Sequence, residues 1–423
     1  MAVRKTSTNQ RNNIMKPPIF RLPLPGQFTT NTLTAALSLA LIGASIGPSV
    51  FAQTPCPEVR VLAEELLAPS KVIQTPLGDF LVSENGTGAP NTGRISIVDS
   101  QGTRRTLLDG LPSGIDHTGG KSGTSSLWLR GRTLFVVNGL GDVTLPGPLP
   151  GTEMPNPHPS SPIFSSVLEV HFSAAMEQRT TGVALTPADH VALKNGKELI
   201  LSDADGQKMT LRLVVDFPDY APEPMPTFPA NVRHCNPYGI VADAQYLYVI
   251  DAGFNIVRKV DSNTGASDTL VTFPRTPNPA PVGKPFIENV PTSIHPAGGQ
   301  LLVTLLSGAP AFLPGYSQVW QVDPASGAAG PLVEGLSSAI DTLPLPQEQN
   351  YQSLLTLEYD LNFPKSGPGR LQFFATPTST PSVVSACLVT PTSMVYDVNS
   401  GQLVIAQLGT GQLVVLPLDI SSL

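Results

Sequence analysis

The residues of this chain best suited to chemistry are oxygen and nitrogen donors at the ends of short apolar runs. Glu84 closes FLVSE (80–84), Asn138 closes LFVVN (134–138), Asp251 closes YLYVID (246–251) and Gln407 closes LVIAQ (403–407). Asn236 stands just before the run that begins at Tyr238. Oxygen donors gathered around an axis suit Ca²⁺, which takes six to eight oxygens, carbonyls and water included. Glu84, Asp251 and Asn236 are therefore candidate ligands of a Ca²⁺-like ion. The structural alternative is that Asp251 and Asn255 close a tight turn through side-chain-to-backbone hydrogen bonds. His117 and His234 both fall in loops leading into apolar runs, where imidazole is a candidate base; the plain alternative is a solvated loop histidine. These seven residues make up the candidate ligand face. Gly-x-Ser-x-Gly occurs only at 43–47, within the N-terminal 52 residues, and there is no His-Glu-x-x-His and no zinc-type Cys/His spacing, so those hydrolase and zinc-site classes lack sequence support in the rest of the chain.

The elements that must position these donors are strands. Residues 236–261, NPYGIVADAQYLYVIDAGFNIVRKVD, hold three short apolar runs separated by Asp, Gly and Asn. Runs of β-branched and aromatic residues bounded in this way are strand–turn–strand signals. Three strands with no room for a crossover helix form an antiparallel meander. The phrase recurs at 80–99, at 134–138 with a third strand near 167–172, at 301–323, in degenerate form at 371–375, and at 403–416. First strands are expected near residues 70, 125, 238, 292, 352 and 392, mostly about 40 to 60 residues apart, the period of propeller blades. The fold expected is all-β: a six-bladed propeller of four-stranded antiparallel blades, its second blade enlarged by a loop and short-helix insertion. The interval from 125 to 238 leaves a seventh blade open. In such a blade the start of strand one and the end of strand two share a face near the axis, which collects the candidate donors. At that position blades four and five offer Leu305 and Ala375.

Residues 1–52 carry Arg4, Lys5, Arg11, Lys16 and Arg21 and no acid. An apolar run over 33–46 and Val50-Phe51-Ala52 complete the pattern of a secretory signal peptide cleaved before Gln53. A membrane anchor is the alternative, but the run is short of the ~20 residues that a span needs. The remainder, a single domain over 53–423, has 20 basic against 32 acidic residues and a net charge of −12. No basic patch tracks phosphates, which argues against a nucleic-acid partner. Three cysteines exclude a fully paired set. Cys56 pairs with Cys387 or with Cys235, or all three are free thiols. Residues 59–62 are expected as an outer strand beside the C-terminal blade, because a propeller leaves no edge unpaired. A short helix is expected over Pro187–Lys194, and Pro/Gly-rich loops over 139–162 and 216–233. Loops this long in a compact domain are more often functional than not.

The phrases LVSENGTGAPNTGRISIVDSQGTRRTLLDGLPSG (81–114), NPYGI (236–240) and VIDAGFNIVRKVD (249–261), with VVDFPDY (214–220) before the second of them, resemble the ScyD/ScyE family of secreted β-propeller proteins. The resemblance covers most of 68–335, and looser forms of the phrases occur in NHL and other six-bladed propellers. It implies a secreted or periplasmic six-bladed propeller with no securely assigned catalytic residues. The function expected is a non-catalytic accessory protein that binds a small molecule or protein partner. A divalent-metal-dependent lactonase or esterase of the gluconolactonase type is the alternative, although the Glu-x-Pro-x-Trp start of those enzymes is missing.

Overall fold

Each apolar run with a polar end becomes the second strand of a blade, and its surroundings explain its composition. Phe80–Glu84 is buried at every position, and Thr133–Asn138, Tyr246–Asp251 and Gln402–Gln407 at all but the first. A strand lying between its own sheet's neighbours and the sheets on either side has no solvent face, so it reads as a continuous hydrophobic run. The outermost strand of blade three, Ser267–Thr272, is exposed or half-buried throughout. These strands belong to a computed structural model describing residues 56–279, 285–309, 312–345, 352–363, 367–397 and 399–419. The segment expected as a signal peptide, 1–52, lies outside the described residues.

The described strands form a six-bladed β-propeller. Inner strands begin at Pro69, Lys121, Pro237, Asn289, Ala339 and Pro391, and each blade then meanders outward through antiparallel neighbours. The sixth blade takes its fourth strand from the other end of the chain. Arg60–Ala63 pairs antiparallel with Gln412–Pro417, as expected of residues 59–62. Cys56 is disulfide-bonded to Cys387 on the outer strand of blade five, with Cα atoms 5.5 Å apart, and Cys235 is a buried free thiol.

One blade departs from the expected register. Blade five starts at Ala339–Pro344, and its second strand is Leu354–Glu358. The run 371–375 falls in and just beyond its third strand, Gly369–Phe374. The connection 345–353 is longer than the other inner-to-second-strand turns, so even spacing put the blade one strand too late. Its donor is therefore Glu358, not Ala375.

The second blade carries the expected insertion, and it holds no seventh blade. Thr186 caps the helix Pro187–Lys194 in a reciprocal capping box with Asp189, and Pro187 occupies its first turn. A further helix, Ala174–Arg179, precedes it, and Val183–Ala184 pairs in parallel with blade one's outer strand Arg104–Leu111. The insertion thus fills the wedge between blades one and two, where Val183, Leu185 and Leu193 join one apolar cluster with Leu107, Leu108 and Leu211.

Near the upper end of every inner strand the register slips by one residue. Four of the residues just before the slip are prolines: Pro69, Pro237, Pro291 and Pro391. Proline is tolerated where a bulge releases the ladder from needing its N–H. The bulged residue then serves the next blade. Ser125 donates to the Pro237 carbonyl at 3.0 Å, Thr292 to that of Ala339 at 3.2 Å and Thr392 to that of Pro69 at 3.1 Å. Lower in the axis, Asp341 of blade five accepts from His295 of blade four at 2.8 Å, from Lys71 of blade one at 3.5 Å and from the Met394 amide of blade six at 3.0 Å. The remaining axial cavity is about 10 Å³, lined by Ser70, Lys71, Tyr238, Thr292 and Thr392 among others. That is room for about one water, so side chains plug the axis at this level.

Burial raises the pKa of the Asp341 carboxyl, but Lys71, His295 and the Met394 amide more than offset it, and it falls well below the carboxylate range. Burial, helped by Lys71, lowers His295. Both folded-state values lie below their unfolded ones. Each therefore contributes stability that is present above the unfolded pKa and lost as pH falls: His295 from about 6.5 downward, Asp341 from about 3.9. The urea midpoint is expected to fall between pH 7 and 5. His295→Asn should reduce that slope, while His117 and His190, also lowered by burial, supply the remainder. An unchanged slope would refute the axial assignment. Cys387→Ser is expected to cost about 2–5 kcal/mol in urea unfolding, with a reductant reproducing the loss in the wild type only.

Candidate functional site

The donors at the second-strand ends are spent on their own blades. Glu84 is fully buried and forms a two-pronged ion pair with Arg94 on the adjacent strand, at 3.0 and 2.6 Å. It also accepts from the Leu67 amide at 2.5 Å and from Ser96 at 2.5 Å. Asp251 repeats the pattern, with Arg258 at 3.0 and 2.6 Å and the amides of Asn236, Gly253 and Phe254. Glu358 bonds Arg370 Nε and accepts from the Ser337 amide at 2.6 Å. Gln407 keeps the backbone half alone, accepting from the Val389 amide at 2.5 Å. A carboxylate here caps the chain entering the inner strand, while the arginine opposite neutralises it. Of the Ca²⁺-like set, Glu84 and Asp251 thus sit in separate clasps on blades one and three, and the turn-closing role weighed for Asp251 is present.

Asn138 and Asn236 hold the long loop 139–165. Asn138 donates to the Ile163 carbonyl and to Ser166, both at 3.2 Å, and the Leu140 amide donates to the Asn236 side chain at 3.2 Å. The loop folds back as a hairpin of Thr144–Pro146 with Glu153–Pro155. A second hairpin, Tyr220–Pro222 with Val232–His234, follows blade two. Asn231 joins them: its carbonyl oxygen accepts from the Glu153 amide at 2.8 Å and its amide donates to the Glu223 carbonyl at 2.9 Å.

This construction brings His117 and His234 together around Glu153, a residue sequence reasoning missed. His234 Nδ1 lies 2.8 Å from Glu153 Oε2, and His117 Nε2 lies 3.5 Å from Oε1. The imidazole centroids are 4.8 Å apart. One donor atom from each of the three residues lies within 4.8 Å of the others. Thr144 contacts both Glu153 Oε2 at 3.2 Å and His117 Nδ1 at 3.4 Å. The three side chains keep 16, 15 and 20% of their surface, so the cluster is sheltered yet open to a small ligand. His117 rides on a turn closed by Asp116, which accepts from Thr118 and Gly120. His234 is seated by Gly253, whose missing Cβ would fall 2.1 Å from the His234 carbonyl. Tyr220 lies directly across the hairpin from His234 and is partly exposed on the same side. The signal that pointed toward Glu153 was compositional: Asp142 and Glu153 are the only acids in the Pro/Gly-rich loop.

Burial lowers the pKa of His117, with the charge of Glu153 opposing. Burial pushes Glu153 up, but the hydrogen bond and charge of His234 and the charge of His117 reverse this, and its carboxyl ends below the ordinary value. The cluster therefore presents a carboxylate beside imidazole at neutral pH. Two imidazoles and one carboxylate can share a proton, receive a hydrogen-bonding ligand or hold a divalent transition ion.

No protein-family model matches the chain, and no curated protein matches it. Solved structures to which the chain is similar include the following. A structural-genomics protein of unknown function from Bacteroides thetaiotaomicron VPI-5482 is 8% identical, with TM-score 0.44, covering 86% of this chain and 72% of that one. Hydrazine synthase from Kuenenia stuttgartiensis is 11% identical, with TM-score 0.43, covering 85% and 79%. Streptogramin B lyase is 13% identical, with TM-score 0.38, covering 86% and 97%. The six-bladed fold stands on the strand pairing itself.

The clasps make a stability prediction. Arg94→Ala leaves Glu84 buried and unpaired and is expected to cost about 3–5 kcal/mol. Adding Glu84→Gln should recover most of this in urea unfolding, because Gln407 already fills the equivalent position of blade six. No recovery would mean that the arginine acts through packing alone.

Proposed function

We propose that this is an exported propeller of the ScyD/ScyE type that binds a ligand on its loop-rich face, with His117, Glu153 and His234 at the point of contact. The observation that carries the reading is convergence. Loops 112–120, 139–165 and 217–236 deliver one polar side chain each to a single sheltered cluster. A fold that needed these loops only as connections would have no reason to join them there. The Cys56–Cys387 disulfide supports export, since disulfides persist in oxidising compartments. The net charge of −12 beyond residue 52 favours a small molecule or protein over nucleic acid.

The test is a thermal-shift screen of the full chain against small carboxylates, hydroxamates, sugars and lactones, beside a His117→Ala/His234→Ala variant. Ligands that raise the wild-type melting temperature are expected to lose that effect in the variant. Hits that persist in the variant would move binding elsewhere, and a screen without hits would leave a scaffold for protein partners.

A second reading, a divalent-metal-dependent lactonase or esterase, is favoured by the donor set itself. Two histidines and a carboxylate are the ligands of many hydrolytic zinc sites, with the remaining position open to water or substrate. Turnover of a lactone or aryl-ester panel that requires added metal and is lost in Glu153→Gln would establish it.

A further inference from the structure

We infer that His117, Glu153 and His234 are the protein ligands of one divalent transition ion of the zinc class, whose open positions take an oxygen donor from the bound ligand. The inference rests on the reading of this face as the binding face and specifies its chemistry.

The donor types select the ion. Imidazole suits zinc and its neighbours, whereas Ca²⁺ and Mg²⁺ want oxygen alone. The geometry is close to what such an ion needs. A tetrahedral ion bound at about 2.0–2.1 Å places its ligands roughly 3.3 Å apart. The His234–Glu153 and His117–Glu153 separations are already 2.8 and 3.5 Å. The widest pair within the cluster is no more than 4.8 Å, a gap that small side-chain rotations close. The contact on His117 has the form found around metal-binding histidines, in which the second ring nitrogen is held by a hydrogen bond. Thr144 contacts His117 Nδ1, leaving Nε2 toward Glu153, and holds the carboxylate as well. Asn231 fixes the Glu153 backbone. Three protein ligands, each with part of its surface in contact with solvent, leave at least one coordination position to an outside group. A carboxylate, hydroxamate or ester carbonyl is the class of ligand that such a position takes.

The other polar clusters do not compete. Lys71, His295 and Asp341 lie in the axial plug. Ser161 and His190 are both buried, with His190 Nε2 on the Gly110 carbonyl. Arg233, Arg275, Glu223 and Glu288 neutralise one another beside Asn255.

The experiment is a titration of the chelator-treated full chain with Zn²⁺ and with Co²⁺, whose visible bands report coordination by nitrogen and oxygen. One ion per chain is expected. His117→Ala, His234→Ala and Glu153→Gln should each lower affinity by more than the about 10–100-fold that loss of a supporting contact costs. Thr144→Val should fall within that range, and His171→Ala, an exposed histidine on blade two, should change nothing. Zinc X-ray absorption on the wild-type chain needs no variant and should show two imidazoles at about 2.0–2.1 Å. Fewer than two imidazoles, no stoichiometric ion, or wild-type affinity in His117→Ala/His234→Ala would overturn the inference. Acetohydroxamate separates it from the broader reading. Binding that requires the ion supports both, whereas undiminished binding to the metal-free chain would sink the metal and leave the face.

Discussion

Closing a ring of six sheets is the constraint on which the rest of this structure depends. Each inner strand must meet two neighbours at the axis, where there is almost no room, and the chain's two ends must meet in one blade. The bulge near the top of every inner strand answers the first demand. It releases one residue from the ladder, and in alternate blades that residue's hydroxyl binds the backbone of the next blade. The Lys71–His295–Asp341 contact ties blades one, four and five beneath that level, and the Met394 amide adds blade six. The second demand is met by Arg60–Ala63 in blade six and by the disulfide just before it. An open sheet edge would otherwise remain at the seam.

The same construction decides where chemistry can sit. A ring of strand ends around an axis looks like a ready set of metal ligands. In this chain those ends carry the load of the fold: Glu84, Asp251 and Glu358 cap incoming backbone and are neutralised by Arg94, Arg258 and Arg370. Asn138 and Gln407 cap or tether backbone without charge. A buried carboxylate that has accepted two or three hydrogen bonds and an arginine fork has little left to offer a ligand. The donors that remain available are those on loops, which the blades hold in place without consuming them. The axial cavity, with room for about one water, points the same way. In the function proposed above, the site lies away from the axis, on the hairpins over blades one to three.

Those hairpins are held by polar contacts of their own. Asn236 and Asn138 grip the two ends of loop 139–165, Asn231 joins its hairpin to the one before blade three, and Gly253 lets a blade-three turn press against the His234 backbone. Loss of any of these would shift the cluster without touching its three donors.

Much of the fold was legible in the residues alone, and the reason is burial. Second strands have no solvent side, so their runs are nearly pure hydrophobic and recur visibly, as in FLVSE and YLYVID. Outer strands such as Ser267–Thr272 are half-exposed and polar, and they carry little signal. Blade five was misplaced by one strand because its first turn is long and its third strand, ending in Phe373 and Phe374, imitates a second strand. The helix Pro187–Lys194 was legible from its own capping residues, a local property. The pairing of Arg60–Ala63 with the last blade followed from the need to close the ring. What only the tertiary structure decided is which donors meet. Glu84 and Asp251 read as free ligands because the arginine opposite each is fixed by strand register, 10 and 7 residues away. His117 and His234 read as members of one face, but Glu153 did not join them, because 81 residues separate it from His234. No local pattern encodes their meeting, which the wedge of the blades and the fold-back of two hairpins impose.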